Sequence, residues 1–171
     1  MTGYSIRKVR FDELDSCTEV IRRSFGTVAE EFGLTARNCP ANGAFIGTER
    51  LVSDWNRGNV MYGLYCKDRL AEFMELREKG AGIFELEKLP VLSEHRHRGG
   101  GTLLLEHAHG EVSRMGGNRI TIGIIEETLR LKSWYLSHGF IHTGTANFPH
   151  LPFTAGFMVL LLWSGFGKAL I

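Results

Sequence analysis

A chain of 171 residues with 43% hydrophobic content can bury one proper core, and residues 1–171 read as a single globular domain. A formal net charge of +1 gives no whole-molecule field for nucleic acid or a membrane surface, so neither is expected as a partner. Cys17, Cys39 and Cys66 are odd in number and scattered, which argues against a disulfide framework or a zinc site and for a reduced, cytoplasmic protein.

Tyr4 to Val9 predicts a short first strand, and the charges of MTGYSIRKVRFDEL stand where a signal peptide has an apolar run. Asp12 is the expected cap of a helix that places Leu14, Cys17, Ile21 and Phe25 on one face. Gly26 and Gly33 are expected to break it, and residues 38–43 form a loop. A second helix is predicted from Thr48 to Asn56. Val60 to Lys67 and Leu70 to Arg77 follow as a hairpin turning at Asp68-Arg69, and Lys79-Gly80 leads into a central strand from Gly82 to Val91. Pleating puts Ile83, Glu85, Glu87, Leu89 and Val91 on one face of that strand, and Phe84, Leu86, Lys88 and Pro90 on the other.

The next helix carries Leu104, Ala108, Val112 and Met115 on one face, and residues 116–118 stop it. Ile120 to Ile125 reads as a strand covered on both faces. Thr128 is the expected cap of a last helix ending at Gly139. Phe140 to Asn147 and Phe153 to Leu162 close the chain as two strands, and the apolar run from Phe157 to Trp163 is too short to span a bilayer.

The most informative stretch is FELEKLPVLSEHRHRGGGTLLL, from Phe84 to Leu105. A strand that empties through a glycine-rich loop into a helix start offers unpaired backbone N–H groups and the positive end of a helix dipole to an anion. Arg96 and Arg98 raise the local potential. A P-loop reading fails because Gly101 is followed by Thr102, with no lysine. A dinucleotide fingerprint lacks its third glycine, since that place holds Leu104. The grammar that fits is Arg/Gln-x-x-Gly-x-Gly/Ala, met by Arg96-His97-Arg98-Gly99-Gly100-Gly101.

That loop resembles the coenzyme A pyrophosphate loop of the GNAT N-acetyltransferase superfamily. Val91-Leu92-Ser93-Glu94-His95 is similar to the turn that precedes it in the family, with Ser93 where proline is frequent. Trp134-Tyr135-Leu136-Ser137-His138-Gly139-Phe140 resembles the downstream aromatic-Tyr-x-x-x-Gly-Phe signature, at the expected separation. The resemblance covers residues 60–162 best. His97 and Gly100 depart from it, standing where glycine and an aliphatic residue are usual; Gly100 costs about 1 kcal/mol of helix propensity.

What the resemblance implies is an α/β (α+β) acyltransferase fold, with a mixed central sheet of about six to seven strands and helices on both faces. The predicted order, β-α-α-β-β-β-α-β-α-β-β, is that of the family. The co-substrate implied is acetyl-CoA, with its phosphates on Arg96, His97, Arg98, Gly99, Gly100, Gly101 and Thr102, and its pantetheine arm along the backbone of Leu89, Val91 and Leu92. Pro90 suits the point where the two central strands of the fold splay.

The reaction implied is acetyl transfer to an amine by direct attack. Glu85 then stands at the place of a general base, with Glu87 or Glu126 as alternatives. A backbone N–H near Leu89 or Val91 would hold the oxyanion, and Tyr135 would protonate the leaving thiolate. The plain readings stay open: Glu85 and Glu87 as solvated strand carboxylates, Tyr135 as a core tyrosine beside Leu131 and Trp134. No metal is expected, because His107 and His109 point to different helix faces and His95 and His97 lack further ligands.

The acceptor side would be built from Glu30, Glu31, Phe32, Arg37, Asn38, Phe148 and His150, and a small molecule or a peptide remains open as the amine. The rivals are a non-catalytic acyl-CoA binding or sensing module of the same fold, and a nucleotide-dependent enzyme using the same loop. Open sheet edges leave room for a homodimer.

Overall fold

A computed structural model describes residues 3–89 and 99–162. Seven strands form one sheet in the order β1-β2-β3-β4-β5-β7-β6. They are β1 Tyr4–Lys8, β2 Val60–Cys66, β3 Arg69–Gly80, β4 Ile83–Lys88, β5 Arg119–Ile125, β6 Ile141–Asn147 and β7 Thr154–Leu161. Four α-helices accompany them: α1 Leu14–Glu31, α2 Thr48–Asn56, α3 Gly100–Arg114 and α4 Leu129–Ser137. The predicted order of elements holds throughout. Among the described residues, no helix is long and apolar enough to cross a membrane.

Each face of the sheet buries its own core. Leu14, Cys17 and Ile21 of α1, with Leu51 of α2, pack on Met61 and Phe73. On the other face Leu104, Ala108 and Val112 of α3, with Tyr135 of α4, pack on Leu64, Met74, Leu76, Phe84, Ile120 and Met158. Each fully buried aliphatic or aromatic side chain there contributes about 2 kcal/mol. A third cluster joins Ala29, Leu34 and Cys39, beyond and at the end of α1, to Ile125, Leu151 and Phe153.

Several local expectations change. The hairpin turns at Lys67-Asp68, both left-handed at φ 48° and 63°, so that Cys66 pairs with Arg69 one residue earlier than predicted. Gly26 does not interrupt α1, which runs on to Glu31. Asp12 does not cap it either: its carboxylate takes the Arg10 guanidinium at 3.0 Å, and Glu13 occupies the cap position. Glu13 also accepts from the Arg10 backbone N–H at 2.9 Å and from Arg7 at 2.7 Å, which fixes the entry to the helix.

Two irregularities of β4 place the candidate site. Against β3, Leu76 pairs with Leu86 but Glu75 pairs with Lys88, so β4 carries one extra residue between those rungs. The bulge breaks the expected alternation. Lys88 is turned to the α2 side, where it meets Asp54 and Glu75, instead of joining Phe84 and Leu86.

Against β5, the parallel ladder has the rungs Ile83/Arg119, Phe84/Ile120 and Glu85/Thr121 and then stops. Both strands continue, β4 to Lys88 and β5 to Ile125, so they part beyond Glu85. This is the splay expected at the centre of the sheet. Pro90, the residue thought to suit it, lies outside the described residues.

Candidate active site

The gap between β4 and β5 opens toward the end of β4 from which the chain passes on to α3. Gly99 stands at the N-cap of α3 with φ 81°, a left-handed conformation that glycine takes without strain. Leu103 N–H makes the first helical bond, to the Gly99 carbonyl at 3.1 Å, so the N–H groups of Gly100, Gly101 and Thr102 precede the helical ladder. Such groups, with the helix dipole behind them, suit the pyrophosphate expected on this loop. Val91, Leu92, Arg96, His97 and Arg98, also assigned to the coenzyme from the sequence, lie outside the described residues. Leu89 is described: it packs at the rim of the larger core beyond the last β4–β5 rung.

Gly100 has a second reason to be glycine. A Cβ built there would overlap the carboxylate of Glu72 and come within 2.7 Å of Leu64 Cδ2. Glu72, on β3, is only 1% exposed. Burial pushes its carboxyl up to about 7. The departure from the family pattern at Gly100 is thereby explained by a neighbour on β3.

Thr102 is tied to α4. Its Oγ1 lies 3.0 Å from His138 Nε2, while His138 Nδ1 lies 2.8 Å from the Trp134 carbonyl. A carbonyl only accepts, so Nδ1 carries a proton, and in the neutral ring the Thr102 hydroxyl donates to Nε2. Thr102 therefore faces an incoming anion with its backbone N–H, not its hydroxyl proton. The same contact fastens the loop helix to the helix that carries Tyr135.

Tyr135 is 6% exposed, with rings of Trp134 at 4.9 Å and Phe140 at 5.1 Å. Burial pushes its phenol above the usual range, which keeps it protonated at neutral pH. Of its expected neighbours Trp134 is present, but Leu131 is exposed. Thr128 sits at the N-cap of α4 without capping it, and its Oγ1 is buried with no hydrogen-bond partner among the described residues.

The carboxylates divide by their partners. Glu85, on the last shared rung, is partly exposed and lies 3.3 Å from Lys79. It borders an open cleft of about 350 Å³ over β4, β5 and β7, with Ile83, Thr121, Gly123 and Phe157. Glu87 is clamped by Arg77 at 3.0 Å and Arg50 at 3.7 Å, and its side chain is 14% exposed. Glu126 binds Lys132 and also His142 Nε2 at 2.9 Å, contacts that hold its pKa down and make it a poor base.

Sequence reasoning missed the buried charges beside Glu87. Lys88 Nζ lies 2.6 Å from Glu75 and 3.3 Å from Asp54, all three being buried. Asn59 adds a hydrogen bond to Glu75 at 2.6 Å, and Arg50 reaches Asp54 at 3.0 Å. Burial pushes the Glu75 carboxyl up; at Asp54 burial is outweighed by Lys88 and Arg50, which hold it down. The signal was present in Ala71-Glu72-Phe73-Met74-Glu75-Leu76, where two acids interrupt an apolar strand.

On the acceptor side, Glu30 and Glu31 are exposed on the last turn of α1, while Phe32 packs into the third cluster. The Phe148 and His150 rings lie 5.7 Å apart on the loop between β6 and β7. Arg37 and Asn38 are exposed, and Asn38 is occupied with the loop backbone, accepting from Thr35 N–H at 2.7 Å.

No protein-family profile matches the chain, and no curated protein sequence does. Solved structures do match. The ribosomal-protein-S18-alanine N-acetyltransferase of Escherichia coli superposes with a TM-score of 0.76 at 16% identity, over 98% of this chain and 99% of that one. The PaiA N-acetyltransferase of Thermoplasma acidophilum, in complex with coenzyme A, gives 0.77 at 21% identity, over 94% and 99%. The Salmonella typhimurium protein yncA, solved with its cofactor acetyl-CoA, gives 0.70 at 17% identity, over 96% of each chain. With these likenesses spanning nearly the whole of each chain, the protein has the fold of the GNAT acetyltransferases.

Proposed function

We propose that the protein is an acetyl-CoA-dependent N-acetyltransferase that moves an acetyl group to a primary amine of a small molecule or peptide by direct attack. The observation that carries this reading is the parting of β4 from β5 beyond Glu85/Thr121, with a glycine-capped helix start at the open end of the gap. The N–H groups at Gly100 to Thr102 would hold the coenzyme phosphates, supported by Arg96, His97 and Arg98. The backbone from Leu89 through Val91 to Leu92 would pair with the pantetheine arm. When bound, acetyl-CoA supplies an activated acyl group.

Glu85 is the favoured base. An alkyl ammonium must lose a proton before it attacks, and Glu85 faces the open cleft while Glu87 is committed to two guanidiniums. Beyond Glu85 the edge of β4 facing β5 has no ladder partner among the described residues, and its N–H groups near Leu89 suit a developing oxyanion. Tyr135 would return a proton to the departing thiolate. Cys17 is unsuited as a nucleophile, since burial pushes its thiol up to about 12, and direct transfer needs none. The scattered free cysteines support a cytoplasmic location.

Titration calorimetry with acetyl-CoA, with NAD and ATP as controls, is expected to give selective binding near one site per chain. Preference for a nucleotide without coenzyme A, or no binding by folded protein, would overturn the reading. Tyr135→Phe is expected to lower turnover by about 100-fold or more near neutral pH while leaving acetyl-CoA affinity in place.

The close packing of Tyr135 against Trp134 and Phe140 favours one alternative, a non-catalytic acyl-CoA binding module. On that reading the folded protein binds acetyl-CoA and acetylates no amine across a broad acceptor screen.

A further inference from the structure

Among the described residues Glu72 is an acid with no evident structural partner, set against the one helix start that the proposed function uses. Its side chain is 1% exposed, and Oε2 has no hydrogen-bond partner among the described residues. The carboxylate fills the space where a Gly100 Cβ would project, so it lies directly against the first turn of α3. An ionised carboxylate sealed from water costs free energy unless it is paired, and among the described residues the field of the helix N-terminus is the compensation at hand.

A phosphate docked on that turn draws on the same field. Two anions would then face each other across a single turn of backbone, in surroundings that screen them poorly.

We propose that Glu72 is a proton-linked partner of the coenzyme loop, taking up a proton when a phosphate-bearing ligand docks on the first turn of α3. The inference rests on the coenzyme reading of that loop. Its sign follows from electrostatics: a neutral Glu72 leaves the helix field to the ligand, and a bound ligand holds Glu72 neutral. Coenzyme affinity therefore falls as pH rises through the titration of Glu72, which burial places about 7 in the free protein.

Among the described residues, the titratable groups facing this turn are Tyr62, His107, Glu111 and, from α4, His138, which is bonded to Thr102. From β2, Leu64 faces Glu72 directly, and Tyr62 beside it donates to Glu111 of α3. Glu111 is itself paired with Arg114, at 2.7 Å. His107 of α3 stacks edge-on against Tyr62 at 4.5 Å. From β3 the neighbour on this face is Met74. None of these bonds to Glu72.

The test is titration calorimetry of the full chain with coenzyme A at pH 7.5, in two buffers of different ionisation enthalpy. The difference in apparent heat gives the protons taken up. The 3′-phosphate of the ligand titrates in this range too, so 3′-dephospho-coenzyme A is run in parallel. The wild type is expected to take up a substantial fraction of a proton with both ligands, and to bind several-fold tighter at pH 6.5 than at pH 8.5.

Glu72→Gln, with Glu72→Met as a second variant should the amide not fold, is expected to lose that uptake and to flatten the affinity profile. Equal uptake in the wild type and a folded variant would overturn the proposal while leaving the coenzyme reading intact. No binding of coenzyme A by the wild type would overturn both.

Discussion

At the scale of single residues, Glu72 and Gly100 are packed closely together although they stand far apart in sequence. Gly100→Ala forces a methyl group into the Glu72 carboxylate. It is expected to cost about 1–3 kcal/mol by overpacking, despite the gain in helix propensity. Combined with Glu72→Ala the penalty should shrink, because the obstructing group is gone. A double-mutant cycle from urea midpoints measures this, and strictly additive effects would refute the contact.

Glu72 also makes a prediction in pH. Its folded pKa, about 7, is raised above the ordinary 4.5 by burial, so the folded state binds the proton more tightly than the unfolded one. The resulting stabilisation is complete below the ordinary carboxyl range, declines as pH rises, and is gone once pH has passed through about 7. Glu72→Gln should therefore gain on the wild type between pH 5 and pH 8.5. The expected gain is roughly 2.5 kcal/mol, readable as a relative shift in denaturant midpoint.

At the scale of elements, β4 and α1 show what the sequence could and could not say. The strand that starts the run from Phe84 to Leu105 and the helix that ends it were legible because each has a local signature, while residues 90–98 between them lie outside the described residues. The splay was foreseen only through the family resemblance, since a parting of two strands is a property of the pair. The bulge was not foreseen. FELEKL alternates regularly, and the register slip that turns Lys88 toward Asp54 and Glu75 is set by β3 and α2.

Lys88→Met should test that burial. Removing the cation leaves two buried carboxyl groups facing a methionine, at an expected cost of about 3–5 kcal/mol. A change within a few tenths of a kcal/mol would mean that the trio is not coupled. Gly26 illustrates the opposite error, a glycine read as a breaker that sits inside a helix. A Cβ there meets open space, so Gly26→Ala should stabilise α1 by about 0.4–1 kcal/mol and raise the melting temperature by a few degrees.

At the scale of the whole molecule, two antiparallel halves of the one sheet meet at one line. Strands β1 to β4 form a meander in sequence order, β5, β7 and β6 form a second unit, and only the short parallel ladder between β4 and β5 joins them directly. The chain order of the elements was legible in the sequence, while the order of strands within the sheet, with β7 between β5 and β6, emerged only from the packing. Helix α3 lies across the line, touching β2 and β3 on one side and β5 on the other, and so reinforces a seam that hydrogen bonds alone would hold weakly.

That seam gives the molecule a natural dividing line. Cut in the connection between β4 and α3, the chain yields one fragment with β1 to β4, α1 and α2, and another with α3, β5 to β7 and α4. The second fragment owns the apolar stripe of α3 that covers the first, so neither buries its surface alone. Co-expressed, the two halves should reassemble into a folded heterodimer, while each by itself aggregates. A gene split at this point would make the protein a reporter whose reconstitution depends on bringing the two halves together.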